Sequence, residues 1–304
     1  MEDLIIIGAG PAGLTAGIYA VRAGLKTRLF EKGVPGGQAV NTDFVENYPG
    51  FPEGISGFEL MDRMRRQAEV LGVMIENREV KGLHVSGNIK KIDTDQGELE
   101  SKAVIIASGS TPRRLGIKGE EELIGKGVSF CATCDGPFFR NQEVAVIGGG
   151  DSAVQEAIYL TRFAKKVHLI HRRDKLRATK VLQERAFKQK GINFIWNTVP
   201  MTILGKDRVD GLELKNLKDE TFSCLPVNGV FVFIGLVPNT SFLDSNIKRD
   251  EAGFIATDER MQTSVPGVYA AGDVRSKRLR QISTAVGDGA LASFSAATYI
   301  EENQ

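Results

Sequence analysis

The chain has 304 residues, of which 42% are hydrophobic and 25% are charged, and its formal net charge at pH 7 is +1. This length predicts two domains of a globular protein, and a charge so near neutrality does not favour nucleic acid as a partner. The first residues lack the basic segment of a signal peptide, and the apolar stretch 4–20 is interrupted by glycine and proline and is too short to span a membrane. We therefore expect a cytoplasmic protein without a membrane segment.

The predicted elements begin with a strand, a glycine-rich turn and a helix. This stretch, LIIIGAGPAGLTAGIYAVRAG, occupies residues 4–24 and leads to a second apolar strand, TRLFEK, from Thr27. A helix with capping-box spacing is predicted over 56–72. Residues 80–108 predict a small antiparallel β segment that returns to a buried strand before Gly109.

The same order of elements returns later in the chain. The stretch VAVIGGGDSAVQEAIYLTRFA occupies residues 144–164 and is followed by a strand, VHLIHRR, from Val167. Two proline-bearing links, STPRRLG and LVPNTS, separate this second unit from the first. The helix predicted from about Ile282 has no partner in the second unit and most simply belongs to the first. The sequence therefore predicts an α/β fold with two dinucleotide-binding units, the second inserted into the first.

The first glycine-rich turn has the spacing of a dinucleotide site. Gly8, Gly10 and Gly13 follow a strand and open a helix, so that backbone N–H groups and the helix N-terminus can approach a pyrophosphate. Glu31 ends the second strand, where a carboxylate can accept hydrogen bonds from an adenosine ribose. The alternative is a turn that serves only strand–helix packing, but the strand, the helix and the later acid all agree with nucleotide binding.

The second turn has a different residue at the corresponding offset. Gly148 and Gly150 repeat the spacing, but 23 residues after Gly148 comes His171, and the arginines of HRRDKLR follow. Guanidinium groups bind a ribose 2′-phosphate, which a carboxylate would repel. The contrast predicts NADP(H) in the second unit and another dinucleotide in the first. The alternative is that the arginines form a solvated helix face.

The sequence SFCATCDGPFF contains the cysteine pair Cys131 and Cys134, with Asp135 directly behind it. A structural zinc site needs four ligands, and the third cysteine and the three histidines show no second paired spacing. A structural disulfide over so short a loop removes little chain entropy. A redox dithiol is the interpretation we favour, with Asp135 as the group that moves a proton.

NADPH delivers two electrons as a hydride, and a disulfide accepts two electrons. A flavin can take the hydride on one side of this exchange and reduce sulfur on the other. The first dinucleotide is therefore interpreted as FAD.

Taken together, the motifs closely resemble those of the low-molecular-weight, bacterial-type thioredoxin reductases, in the class-II pyridine nucleotide-disulfide oxidoreductase family. The resemblance covers essentially the whole chain. It is carried by GAGPAG, PGGQAVNTDFVENYPGF, CATCDGPFFR, VAVIGGGDSAV, HLIHRRDKLRA, QTSVPGVYAAGDV and RQISTAVGDG. The charged stretch DVRSKRLRQ (273–281) departs from the commonest pattern of that family.

The resemblance implies a homodimer of chains with two Rossmann-like, three-layer ββα domains: an FAD domain at about 1–113 and 241–304, and an NADPH domain at about 114–240. The implied FAD residues are Gly8, Gly10, Pro11, Ala12, Gly13, Glu31, Lys32, Gly36, Gly37, Gln38, Asn47, Gly109, Gly272, Asp273, Arg280, Gln281 and Ile282. The implied NADPH residues are Gly148, Gly150, Asp151, Ser152, His171, Arg172, Arg173 and Arg177.

The resemblance also implies a reaction. Hydride passes from NADPH to FAD, the electrons pass to the Cys131–Cys134 disulfide through Cys134, and Cys131 reduces thioredoxin or a thioredoxin-like protein with Asp135 as acid and base. Two enzyme alternatives are a reductase for a peroxidase-linked redoxin and a dithiol oxidase that uses oxygen. A nucleotide-binding scaffold without catalysis is a third alternative, from another functional class.

Overall fold

The computed structural model of the chain describes residues 1–42 and 45–303, so that Asp43 and Phe44 of the stretch PGGQAVNTDFVENYPGF lie outside the described residues. The strands are β1 (Glu2–Ile7), β2 (Thr27–Glu31), β3 (Met74–Asn77), β4 (Val80–Ser86), β5 (Ile89–Thr94), β6 (Gly97–Ile106), β7 (Ser110–Pro112), β8 (Val128–Ser129), β9 (Glu143–Gly148), β10 (Lys166–Ile170), β11 (Ile192–Ile195), β12 (Thr198–Gly205), β13 (Val209–Asn216), β14 (Phe222–Pro226), β15 (Gly229–Phe233), β16 (Leu236–Pro238) and β17 (Val268–Ala270). The helices are α1 (Pro11–Arg22), α2 (Gly57–Val70), α3 (Ala132–Asp135), α4 (Asp151–Leu160), α5 (Lys180–Phe187) and α6 (Ile282–Glu302).

The chain divides into two compact units. Unit 1 comprises Met1–Thr111 with Val237–Gln304, and unit 2 comprises Pro112–Leu236. The two connecting segments, β7 and β16, pair with each other as a two-stranded sheet. Unit 2 is thus an insertion in the sequence of unit 1, which is the predicted connectivity.

Unit 1 is built on a parallel sheet. β3, β2, β1 and β6 are neighbours in that order, and β17 pairs in parallel with the end of β6. The first half of β6 instead pairs antiparallel with β5, which pairs with β4, as predicted for residues 80–108. The final helix α6 contacts α1, so the tail of the chain packs in this unit.

The apolar run of β1 explains the three layers of unit 1. Successive side chains of a strand point to opposite faces. Leu4 and Ile6 belong to the core beneath the helices, and Ile5 and Ile7 belong to a second core on the other face; all four side chains are buried. A strand buried on both faces reads as a continuous hydrophobic run, which the sequence shows.

Unit 2 repeats this plan. Its parallel sheet has the order β11-β10-β9-β15-β8, and a separate antiparallel sheet has the order β12-β13-β14. In β9, Val144 and Val146 face the helix-side core, while Ala145 and Ile147 face the core shared with the antiparallel sheet. The predicted pair of Rossmann-like ββα units is therefore confirmed. No described helix is long and apolar enough to cross a membrane.

A histidine in unit 1 makes stability depend on pH. His84 on β4 lies 2.9 Å from Asp244 through Nδ1 and 2.9 Å from Asp93 through Nε2. Hydrogen bonds first to Asp244 and then to Asp93 raise the pKa of His84 above its ordinary value of 6.5. The charged imidazole therefore stabilises the folded chain below about pH 6.5, and this contribution is lost as pH rises through the folded-state pKa.

Substitution His84→Gln should remove this pH dependence. Because the side chain is 52% exposed, we expect an effect of only about 0.5 kcal/mol, present at about pH 6 and absent at about pH 8.5. Denaturant unfolding of both proteins at the two pH values measures it. An equal stability difference at both values would contradict the assignment.

Candidate functional site

The first glycine-rich turn is packed backbone against backbone. Gly8 has φ of +104°, and a Cβ there would lie 2.5 Å from the carbonyl oxygen of Ala107. A Cβ on Gly13 would overlap the carbonyl oxygen of Gly8. A Cβ on Gly10, the N-cap of α1, would meet no described atom within 4 Å. The two outer glycines thus close the turn, and the middle one leaves room beside a helix N-terminus for an anionic ligand.

Two other predicted segments meet this turn. A Cβ on Gly37 would lie 3.3 Å from the Cα of Gly10, and Gln38 belongs to the same short 3-10 turn as Gly37. A Cβ on Gly272 would lie 2.9 Å from the Cβ of Ala12. The structure therefore brings together residues that are more than 200 positions apart in the sequence.

Glu31 braces the turn from the end of β2. Its Oε2 accepts a hydrogen bond from the backbone N–H of Ala9 at 2.8 Å, and its Oε1 accepts one from Gly33 at 3.1 Å. Lys32 is exposed and its ammonium lies 3.9 Å from the carboxylate of Glu79. A pocket of about 340 Å³ opens beside Glu31; it is lined by Glu31, Gly33, Pro35, Arg65, Glu69, Ile75, Glu76 and Asn77. Its position at the carboxyl ends of β2 and β3 suits an adenosine.

Two buried polar atoms after β17 lack a hydrogen-bond partner among the described residues. Oδ1 of Asp273 is buried and makes no hydrogen bond within residues 1–42 and 45–303. Burial raises the pKa of Asp273, against the opposing effects of Lys277 and Arg280. Arg280 binds the carbonyl oxygens of Lys277 and Arg275 at 3.1 and 3.2 Å, yet its buried Nε has no partner in the same described ranges. These atoms fit a polar ligand that completes their hydrogen bonds.

The remaining predicted residues of unit 1 lie at element ends. Asn47 donates from Nδ2 to Oε1 of Gln281 at 2.9 Å, and Gln281 is the N-cap of α6, which begins at Ile282. Gly109 follows β6 with φ of +68°, and its carbonyl oxygen accepts from the N–H of Asn239 at 3.0 Å. A Cβ on Gly109 would meet no described atom within 4 Å.

Closure of the first turn makes a stability prediction. Gly13→Ala should destabilise the protein by about 1–3 kcal/mol and weaken FAD retention, because the new methyl group meets backbone that cannot move aside. Gly191→Ala is the matched control, since a Cβ there meets, among the described residues, only Thr161 at ordinary contact distances of 3.5 and 3.6 Å. Thermal unfolding and the flavin absorbance per chain measure the two effects. Equal behaviour of the two variants would contradict the packing argument.

In unit 2, the second turn holds the arginine segment by its backbone. The carbonyl oxygen of Gly149 accepts from the N–H groups of Arg177 and Ala178 at 2.7 and 3.1 Å. Oδ1 of Asp151, in the first turn of α4, accepts from the N–H of Thr179 at 2.6 Å. The sequence analysis did not identify Gly149, the middle residue of GGG, as a site residue. Only the structure shows that a Cβ there would overlap the ring of His171.

Three exposed arginines follow the end of β10 in the chain. Within the described part of the chain, Arg172, Arg173 and Arg177 form no ion pair with a carboxylate. His171 is buried beside them, with an Nε2 that has no partner in that part of the chain. Burial, and then the charge of Arg177, lower the pKa of His171, so this imidazole is neutral near pH 7. Unpaired guanidinium groups fit a phosphate monoester, and Ser152 adds an exposed hydroxyl in the first turn of α4.

The cysteine pair lies in unit 2, between β8 and β9. Cys131 and Cys134 form a disulfide with a Cα–Cα distance of 5.3 Å, and both residues are half-buried. Cys131 is the N-cap of the short helix α3, and its N–H donates to Oγ of Ser129 at 3.1 Å. Asp135, half-buried, ends α3 and its N–H donates to the carbonyl oxygen of Cys131 at 3.1 Å. The third cysteine, Cys224, is exposed on β14.

A model of the pyridine nucleotide-disulphide oxidoreductase family matches residues 2–289. The chain belongs to this family. Members of the pyridine nucleotide-disulphide oxidoreductase family related to this chain use FAD and NADPH. Both ligands fit the residues described above: one open glycine turn with unsatisfied polar atoms in unit 1, and one with unpaired arginines in unit 2.

The curated relatives of this chain within the family include thioredoxin reductases. That of Listeria monocytogenes is 52% identical over 302 residues, which cover 99% of this chain and 94% of the relative. That of Bacillus subtilis is 46% identical over 303 residues, with coverage of 99% and 96%. The crystal structure of thioredoxin reductase from Streptococcus pyogenes matches with a TM-score of 0.94 and 47% identity over 99% of each chain.

Proposed function

We propose that this chain is an NADPH-dependent thioredoxin-disulfide reductase that carries FAD. The observation that carries the proposal is the half-buried Cys131–Cys134 disulfide in the same unit as a glycine turn with unpaired arginines. A disulfide and a site for a phosphorylated pyridine nucleotide are the two ends of a two-electron transfer. The thioredoxin reductases to which the chain is similar over 99% of its length support thioredoxin, or a thioredoxin-like protein, as the partner.

Each cofactor is assigned to one unit. Unit 1, whose bounds lie within four residues of the predicted FAD domain (1–113 and 241–304), offers a carboxylate at the end of β2 and the open turn at Gly10. Unit 2, whose bounds lie within four residues of the predicted NADPH domain (114–240), offers guanidinium groups after the end of β10, which complement a 2′-phosphate that a carboxylate would repel.

When bound, FAD would supply the two-electron chemistry that links the hydride of NADPH to a disulfide. The chain's own residues then act by thiol–disulfide exchange. The thiolate of Cys131 attacks the thioredoxin disulfide and forms a mixed disulfide, and one thioredoxin sulfur leaves as a thiolate. The thiolate of Cys134 attacks Cys131, which re-forms the Cys131–Cys134 bond and releases the second thioredoxin thiolate. Asp135 is proposed to move the protons of these thiols.

The deciding experiment mixes the purified protein with NADPH and a panel of oxidised redoxins. We expect a yellow protein whose NADPH consumption depends on thioredoxin and is matched by new thioredoxin thiols. A colourless protein, or NADPH consumption without new thiols on any redoxin, would contradict the proposal. Reduction of only a peroxidase-linked redoxin would keep the chemistry and change the partner. The homodimer and the cytoplasmic location stay predictions.

A further inference from the structure

Two cations of the charged stretch after β17 converge on one acid of α6. Asp288 accepts a hydrogen bond at Oδ2 from the ammonium of Lys277 at 2.9 Å, and its Oδ1 pairs with Nη1 of Arg275 at 2.8 Å. Oδ2 of Asp288 also accepts from the backbone N–H of Gly272 at 3.0 Å. Asp288 therefore ties the Gly272–Asp273 turn and two cations of the following segment to α6.

These groups are almost fully enclosed. The side chains of Lys277, Arg275 and Asp288 are 11, 12 and 13% exposed. Enclosed charges are costly unless opposite charges balance them. Asp288 offers one negative charge to the two cations. The second negative charge is on Asp273, whose Oδ1 lies 3.7 Å from the ammonium of Lys277. The set of four is neutral only when Asp273 is ionised.

Asp273 is the member of this set that can meet a ligand. Its side chain is 37% exposed although its Oδ1 atom is enclosed, and Oδ1 makes no hydrogen bond within the described ranges. An ionised carboxylate only accepts hydrogen bonds, so it suits hydroxyl groups such as those of a sugar alcohol chain. Protonation would remove part of that capacity, and burial favours protonation.

We propose that Lys277 and Asp288 are positioning residues for FAD, which is an inference that rests on the proposed FAD site of unit 1. Asp288 fixes the turn that carries Asp273 against the N-terminal end of α1, where Gly272 meets Ala12. Lys277 supplies the positive charge that keeps Asp273 an acceptor for ligand hydroxyl groups. Neither residue is among those predicted from the sequence to touch the cofactor.

The groups that face Asp273 set the sign of the pH effect. Lys277 and Arg280 lower the pKa of Asp273, and Asp288 raises it. Removal of Lys277 therefore raises that pKa, so Asp273 becomes protonated at a higher pH than in the wild type as the solution is acidified. Removal of the charge of Asp288 lowers that pKa, but it also weakens the hydrogen bond from the N–H of Gly272 and so loosens the turn.

The test measures FAD retained by the holoprotein after dialysis, from about pH 8 to about pH 5. Lys277→Met should weaken FAD binding by about 10-fold near neutral pH, and more as pH falls. The reason is that protonated Asp273 no longer accepts a charge-assisted hydrogen bond from a ligand hydroxyl group. Lys277→Arg should restore most of the affinity. Arg278→Met is the matched control, since it removes an exposed cation at the adjacent position and should retain FAD as the wild type does. Asp288→Asn should also weaken FAD binding, but it should not raise the pH at which FAD is lost.

Circular dichroism and the unfolding midpoint of each apoprotein show whether a variant folds. If the wild type and Arg278→Met hold FAD and folded Lys277→Met releases it no sooner at any pH, this inference is wrong and the proposed function stands. Equal loss in Lys277→Met and Lys277→Arg at every pH would also overturn it, because packing and not charge would then be responsible. A wild type that binds no FAD at all would overturn both.

Discussion

Cys134→Ser should leave reduction of the bound flavin by NADPH intact and lower thioredoxin reduction by about 10³-fold or more. The disulfide that accepts the electrons cannot form in this variant, whereas the glycine turns and the arginines of unit 2 are unchanged. Anaerobic bleaching of the flavin absorbance measures the first half-reaction. Thioredoxin-dependent NADPH consumption measures the whole cycle.

The remaining thiol offers a second signature. In Cys134→Ser, Cys131 can still attack oxidised thioredoxin, but the thiol that would resolve the mixed disulfide is missing. A covalent complex with thioredoxin should therefore accumulate and be visible on a non-reducing gel, and Cys131→Ser should form none. Cys224→Ser is the control, because Cys224 is exposed on β14 and should be dispensable. A Cys134→Ser protein with normal turnover, or without flavin reduction, would show that the order of electron transfer is wrong.

Replacement of both Arg172 and Arg173 by alanine should raise KM for NADPH by about 100-fold and change KM for NADH by less than about 3-fold. In the proposed NADPH site each guanidinium lost would remove a charge-assisted hydrogen bond to the 2′-phosphate, which contributes about 1.5–3 kcal/mol before exposure to solvent is considered. The value of kcat should change little, because the reacting ring is remote from the adenosine phosphate. Steady-state kinetics with both nucleotides measures the ratio.

Arg185→Ala is the matched control for this pair, since Arg185 is an exposed cation on α5 of the same unit. It should leave both KM values as in the wild type. If the double variant weakens NADPH and NADH equally, the arginines form a solvated surface and the 2′-phosphate is held elsewhere. Raised salt should reduce the NADPH preference of the wild type more than that of the double variant.

The fold of both units was predictable because the signals are local. The apolar runs of β1 and β9, each followed by a glycine-rich turn, require only neighbouring residues to be recognised. The link between α6 and unit 1 was predictable by elimination, since a helix after β17 had no role in unit 2. Spacing also placed Glu31 and His171 at equivalent offsets. In the structure Glu31 ends β2 and His171 directly follows β10, and each of these strands comes after the helix that the glycine-rich turn opens.

The contacts that complete the sites were not predictable, because they join distant parts of the chain. Asp288 is one acid between two glycines of an apolar helix, and nothing nearby in the sequence links it to Gly272. Glu31 was expected to face a ribose, whereas its two oxygens also accept from the backbone of Ala9 and Gly33. Hydrogen bonds of this kind are set by tertiary packing, which a single sequence does not encode in its spacing.

The pairing of β7 with β16 bears on how such a chain can arise. The bonds from Asn239 to Gly109 and from Arg113 to Gly235, both 3.0 Å long, flank this pair of strands. The chain thus leaves unit 1 and returns to it at two positions about 5 Å apart, which is the spacing of adjacent strands. An insertion at this place opens unit 1 by no more than one strand-to-strand step. Unit 1 can therefore carry a whole second nucleotide-binding unit without a rearranged core.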